Sequence, residues 1–336
     1  MTMQVVRPGL FTTVQDGGRF GWQSVGIGPG GAMDQLALRV ANALVGNDQT
    51  AAVLEITMTG PLLRFEHDAL LAMSGDGFAA TIDGAPVPRG RAVLVRGGME
   101  LQCGSCASGC RAVVAVAGGI DVPVVLGSRS TNLRAHFGGF AGRALRAGDL
   151  LPVGTPSREA VRLMTRLALA GAGWHADHAG FAREISPGRA SGAPLRLLPG
   201  SGSGDLDESS RAALDAEPFR VSTRSDRMGY RLEGPALVLS NRREMPSEGV
   251  AWGTVQLPPD GQPIILLADR QTTGGYPVIG HVASVDRSAL ASARPGDQLR
   301  FASTTLAAAR RAHLDHAHMF RAAAQALRAQ RAGERA

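Results

Sequence analysis

The sequence predicts a mainly β fold, a β-rich α+β protein with few helices. Its apolar residues fall in short runs of strand length, at 69–73, 79–82, 92–95, 111–117 and 236–239. Glycine and proline, 44 and 19 of the 336 residues, interrupt those runs throughout. That is the pattern of many strands joined by turns. With 44% hydrophobic residues, a chain of this length can build two ordinary domains, each with its own core.

Taken in order, the chain enters a strand near Gln4 and reads as hairpins, with Asp16-Gly17-Gly18 as a turn. Gly26-Ile27-Gly28-Pro29-Gly30-Gly31 fits G-x-G-x-x-G, and a strand over 22–25 would complete a dinucleotide-binding turn. The hairpins around it, and the lack of an alternating strand–helix series, argue against that reading. A helix is expected over 34–45. Asp34 is a suitable N-cap, Leu36, Val40 and Leu44 recur every fourth residue, and Gly46 stops it. The N-terminus of that helix is a place where a substrate carboxylate can be attracted. A polar helix candidate covers 157–170, glycine-rich sequence runs to Pro194, and the β pattern restarts over 195–198. Further helices are expected over 205–216 and 305–331. The last is only weakly apolar, with Leu306, Leu314, Phe320 and Leu327 among alanines. The expected organisation is therefore a domain over 1–155, a linker over 156–193, a second domain over 194–303, and a C-terminal helix and tail over 304–336. A faint echo links the halves. Arg146-Ala147-Gly148-Asp149-Leu150-Leu151 resembles Arg294-Pro295-Gly296-Asp297-Gln298-Leu299, and Gly60-Pro61-Leu62-Leu63 resembles Gly234-Pro235-Ala236-Leu237, at different spacings.

Composition excludes several chemistries. The chain has no lysine, so all 35 residues counted as Lys or Arg are arginine. Schiff-base catalysis and a Walker phosphate loop both need lysine. Any anion site must use arginine, helix N-termini or backbone N–H groups. The net charge of +6 is dispersed, and 4% aromatic residues offer few stacking platforms. No nucleic-acid partner is expected. No apolar run approaches the ~20 residues of a membrane span. The N-terminus has no basic segment followed by a long apolar one, and the expected location is cytoplasmic. Cys103, Cys106 and Cys110 give one C-x-x-C and a third thiol, with His175 and His178 the nearest further ligand types. Without a second C-x-x-C, the segment reads as a loop of reduced thiols between strands, and no metal is expected. No G-x-S-x-G occurs, which argues against an α/β-hydrolase.

The most informative stretch is 261–277. A buried strand over 264–268 ends in Asp269-Arg270-Gln271-Thr272-Thr273-Gly274-Gly275-Tyr276. Asp269 to Thr273 present one carboxylate, one guanidinium, one carboxamide and two hydroxyls at a strand end, beside glycines that allow close approach. That set suits a small polar ligand bearing an anion or an amide. An Asp269–Arg270 salt bridge closing a turn is the structural alternative.

This stretch, with Ser225-Asp226-Arg227-Met228-Gly229-Tyr230, Ser247-Glu248-Gly249-Val250-Ala251-Trp252-Gly253-Thr254-Val255-Gln256, Thr12-Thr13-Val14-Gln15-Asp16-Gly17-Gly18-Arg19 and Gly127-Ser128-Arg129-Ser130-Thr131, resembles the KipA family. That family includes the C subunit of 5-oxoprolinase and is similar to the second half of the carboxyltransferase domain of biotin-dependent urea carboxylase. The resemblance runs over about 4–303. It implies two tandem cyclophilin-like β-barrel domains and one part of an enzyme that converts 5-oxoproline to glutamate using ATP. The implied partners are a KipI-like protein, which is the B subunit, and the A subunit of 5-oxoprolinase, with ATP and Mg bound by the assembled complex. By chemical suitability, Arg270 and Arg227 are candidates for anion contacts. Gln256 and Gln271 suit the amide, and Ser247, Thr272, Thr273 and Tyr276 offer hydroxyls beside Gly274 and Gly275. Asp269 or Glu248 suits a base. The alternatives are a carboxyltransferase component acting with biotin on urea or another amide, and a KipA-type regulatory binding protein.

Overall fold

Two units divide the chain, and not in linear order. One comprises Met1–Arg19, Gly30–Pro187 and Met319–Ala336; the other comprises Phe20–Pro29 and Gly188–His318. The computed structural model describes residues 1–75, 77–169, 175, 193–241 and 246–333. A simple 1–155 and 194–303 partition therefore misses two exchanges. Phe20–Pro29 belongs to the second unit, and the helix Leu306–Gly333 begins in the second and ends in the first. Most of the expected linker over 156–193 lies outside the described residues, but its start folds as the helix Arg158–Leu169, burying Ala160, Leu163 and Leu167.

The first unit is built on two sheets. Six strands run in the order Leu150–Pro152, Thr2–Arg7, Leu62–Phe65, Glu100–Cys106, Phe78–Ile82, Ala85–Pro86. Five run Phe11–Gln15, Val53–Thr57, Arg111–Val116, Ala69–Gly75, Ala92–Val95. The expected N-terminal hairpins do not form. Thr2–Arg7 pairs with Leu62–Phe65 and Leu150–Pro152, whereas Phe11–Gln15 pairs with Val53–Thr57 in the other sheet. Pro8-Gly9 turns the chain between them, and Leu10 N–H donates to Thr59 O at 2.9 Å. Met3, Val5, Leu63 and Leu101 of the first sheet share one core with Leu54, Ile56 and Val114 of the second. The alternate residues Leu70 and Val113 face a second core, closed by Val40 and Leu44 of the helix Gln35–Val45 and by Phe320. This is the two-faced burial that a strand period of two allows.

Four local expectations change. Residues 22–25 form the 3-10 turn Gln23–Val25 and not a strand, so no strand leads into the glycine motif. The helix after it is already capped: Asp34 accepts from Leu36 N and Ala37 N, both at 3.0 Å. The N–H groups that a pyrophosphate or substrate carboxylate would need there are spent on Asp34, whose charge repels an anion. Residues 236–239 form no strand. Val238 N–H donates to Ser210 Oγ, and Val238 O accepts from Asp207 N–H, so that backbone is spent on a helix start. Cys103 and Cys106 lie within the strand Glu100–Cys106 and not in a loop. Cys103 is buried, which pushes its thiol up to about 12, and His175 instead faces Arg91 at 3.2 Å. His178 is outside the described residues.

The second unit carries an eight-stranded sheet. Its order is Gln298–Leu299, Phe219–Val221, Gly229–Glu233, Ile264–Leu266, Thr254–Gln256, Val278–Val282, Leu195–Pro199, Phe301–Ser303. Its two edge strands are consecutive in the chain, separated by Arg300 alone, so the sheet must curl almost closed. The rings of Phe219 and Phe301, from opposite ends of that order, meet at 5.9 Å. The fold is mainly β, with five α-helices among the described residues.

One echo in the sequence is a structural repeat. Arg146 N–H donates to Asp149 Oδ2 at 2.8 Å, and Arg294 N–H to Asp297 Oδ2 at 3.0 Å. Gly148 (φ +89°) and Gly296 (φ +95°) take the left-handed conformation between them. Gly148 N–H bonds Val5 O, and Gly296 N–H bonds Val221 O, each at 2.8 Å. The same Arg-x-Gly-Asp turn thus feeds an edge strand in each unit. The second echo has no such meaning, because Gly60-Pro61 precedes the strand Leu62–Phe65 and Gly234-Pro235 follows Gly229–Glu233.

Candidate active site in the second unit

Four adjacent strands and a two-stranded ribbon build the site. Gln256 is opposite Ile264 on one side and Val278 on the other, and Thr254 is opposite His281. The ribbon pairs Glu248 with Gly274 and Gly249 with Thr273. Strand pairing therefore gathers residues scattered from 248 to 281.

Gln256 is the centre of the amide set. It is 1% exposed, and its Nε2 donates to Tyr276 O at 3.4 Å. Gln271 Nε2 donates to Gln256 Oε1, also at 3.4 Å. Gly274 lies against this carboxamide, so a Cβ there would push the end of the Gln256 side chain aside. Long, soft bonds leave this pair of carboxamides able to exchange partners with a bound amide. Thr273, Gly275 and Tyr276 stand exposed at the ribbon, as does Ser247, while Thr272 lends its carbonyl to Val250 N–H.

A proton-bearing set adjoins it. Thr254 Oγ1 accepts from Ala251 N–H at 3.1 Å and lies 3.2 Å from His281 Nδ1. The hydroxyl has one donor and two acceptor sites, so it serves either tautomer of the imidazole. Burial holds His281 below the usual imidazole range, against the opposing pull of the Glu248 carboxylate. Glu248 accepts from Ser201 Oγ at 3.3 Å. His281 and Thr254 were not among the expected site residues. The signal was present for His281, which is the one polar side chain in the run Val278–Val282.

Asp269 and Arg270 separate. Asp269 does not pair with its neighbour. It takes a two-pronged bond from Arg227, Nε to Oδ2 at 2.8 Å and Nη2 to Oδ1 at 3.1 Å. Arg227 is 5% exposed, and its carbonyl also accepts Asp269 N–H. This pair locks the 226–228 segment to the strand end. Among the described residues Arg270 bonds only backbone carbonyls, Val250 O at 3.3 Å and Leu267 O at 3.1 Å. Burial, reinforced by the charge of Arg287, brings its pKa down to about 10. Phe20–Pro29 reaches this point too: a Cβ on Gly28 would lie 2.9 Å from Arg270 O.

A mainly β chain with this polar strand-end set belongs to the carboxyltransferase-domain family, subdomain A and B, whose family profile matches residues 25–303. The resemblance seen in its motifs extends over nearly the whole chain. It is 39% identical over 318 residues to the C subunit of 5-oxoprolinase from Escherichia coli (strain K12), covering 95% of this chain and 96% of that one. It is 31% identical over 309 residues to urea amidolyase of Saccharomyces cerevisiae, which is 89% of this chain and 16% of that protein. The crystal structure of the K. lactis urea amidolyase aligns with a TM-score of 0.84 at 27% identity, over 95% of this chain and 20% of that chain.

Proposed function

We propose that this chain is one component of an ATP-dependent 5-oxoprolinase, acting with a KipI-like B subunit and an A subunit. The near end-to-end similarity to a protein named as the C subunit of 5-oxoprolinase carries this reading. An unstrained lactam resists water, and ATP supplies a phosphoryl group to its oxygen, which makes the carbonyl carbon electrophilic. Water adds to that carbon, the ring C–N bond breaks as the nitrogen takes a proton, and a second water releases phosphate from the resulting acyl phosphate. The Gln256–Gln271 pair offers both a donor and an acceptor to the lactam amide. Glu248 suits the orientation of the attacking water, beside the His281 imidazole. Asp269 serves as the anchor of Arg227, because both of its oxygens are taken.

No group of three His, Cys, Asp or Glu among the described residues could hold a metal ion, and the chain has no lysine. Mg–ATP is assigned to the assembled complex, with Mg²⁺ needing only one or two carboxylates beside the phosphates. The test is ATP-dependent release of glutamate from 5-oxoproline by the reconstituted complex. Similarity to urea amidolyase favours a second reading, a carboxyltransferase component working with biotin. Carboxylation of urea dependent on bicarbonate and a biotin carrier, with no glutamate release, would select it.

A further inference from the structure

One turn in the second unit holds two guanidinium groups that have no acidic partner among the described residues. Val250 O accepts from Arg270 Nε, and the Trp252 ring carries Arg287, whose Cζ lies 4.7 Å from the ring centroid. The turn itself is fixed. Val250 N–H bonds Thr272 O at 3.1 Å, Ala251 N–H bonds Thr254 Oγ1 at 3.1 Å, and Gly253 N–H bonds Leu266 O at 2.7 Å. A guanidinium has five N–H donors. Arg270 gives two N–H groups to carbonyls. Arg287 Nε is shielded from solvent and meets no acceptor. Among the described residues neither arginine reaches a carboxylate.

Sequestering a guanidinium without an acceptor is costly, and a second like charge beside it adds to the cost. The chain has 29 Asp and Glu residues, and Arg227 in the same unit has one as its partner. Both of the unmatched arginines have their pKa values lowered by burial, yet Arg270, at about 10, stays charged at neutral pH. A ligand that brings negative charge removes the penalty on both.

We propose that Arg270 and Arg287, presented by the 250–253 turn, form a two-armed oxyanion site. Its ligand is an oxygen anion on a small molecule, either a carboxylate such as that of a lactam acid or a phosphoryl group. Arg287 contacts it directly while Trp252 holds the guanidinium plane. Naming the lactam acid rests on the function proposed above; the oxyanion site does not.

The test uses the full chain with ¹⁵N-labelled arginine, titrated at constant ionic strength with 5-oxoproline, inorganic phosphate or uncharged 2-pyrrolidinone. Loss of a signal in Arg287→Lys or Arg270→Lys identifies each Nε–H. The expected result is a saturable downfield shift of both signals with 5-oxoproline or phosphate, at a Kd of about 1 mM or tighter, and none with 2-pyrrolidinone. The tighter of the two anions identifies the source. Arg287→Gln should weaken that binding by about tenfold or more as read from the Arg270 signal. Absence of a saturable shift with either anion overturns the site. Anion binding together with no glutamate release by the complex overturns the lactam reading and leaves the site standing.

Discussion

Glu248 and Asp269 are both carboxylates at the strand ends, but their surroundings give them different work. Asp269 has both oxygens on a buried guanidinium, so removing it strands a charge. Asp269→Ala should destabilise the chain by about 3 kcal/mol, the lower end for breaking a buried pair, as measured by urea denaturation. A loss under about 1 kcal/mol would make the pair dispensable. Among the described residues Glu248 has one weak hydroxyl contact, which leaves it able to act. Glu248→Gln should cut glutamate release by the assembled enzyme by ~10²-fold or more while leaving the fold intact. The same substitution has a readout independent of turnover. Glu248 opposes the burial that lowers the His281 pKa, so Glu248→Gln should move the His281 NMR titration midpoint further down. Because the folded-state pKa is below the unfolded value of about 6.5, the unfolded chain binds more protons in that window. Stability is therefore lost as pH falls from about 6.5 through the folded midpoint, and the loss begins no higher than that. A midpoint that rises in Glu248→Gln would contradict the arrangement.

At the scale of the element, caps and turns decide what the motifs can do. The G-x-G-x-x-G match has the right spacing for a nucleotide, yet the Asp34 carboxylate already occupies the first N–H groups of Gln35–Val45. Asp34→Ala should cost about 1 kcal/mol and should create no affinity for NAD; a mutant that binds it would revive the nucleotide reading. The helix itself was legible, because its N-cap, fourfold spacing and terminal glycine agree. The Arg-x-Gly-Asp turn was legible as words and not as structure. Only the paired bonds at Val5 and Val221 show that the two copies do the same job. The N-terminal hairpin was misread for a physical reason: local alternation shows that a strand exists but not which partner it finds.

For the whole molecule, the most useful absences are chemical. The chain has no lysine and so no Walker phosphate loop, while the proposed reaction consumes ATP. We expect the chain to be inactive alone and to co-purify with a KipI-like protein through an interface of at least ~1,000 Å². Size-exclusion chromatography with light scattering on the co-expressed pair checks the assembly, and full glutamate release by this chain alone would refute the need for a partner.

The sequence by itself determined the β-rich class, the main helices, the caps of the helix over 34–45, the family, and the stretch in which the candidate site lies. These follow from local rules, such as apolar period, cap chemistry and short motifs, that read the same in any context. Tertiary structure alone decided the partnerships. That Asp269 belongs to Arg227 and not to Arg270 depends on two segments 42 positions apart. His281 joins Thr254 because their strands lie side by side, and Arg287 joins Arg270 because one turn touches both. Arg287 opens a helix among polar residues and looks like any solvated arginine, since charge compensation is a property of neighbours in space and leaves no mark in the order of residues.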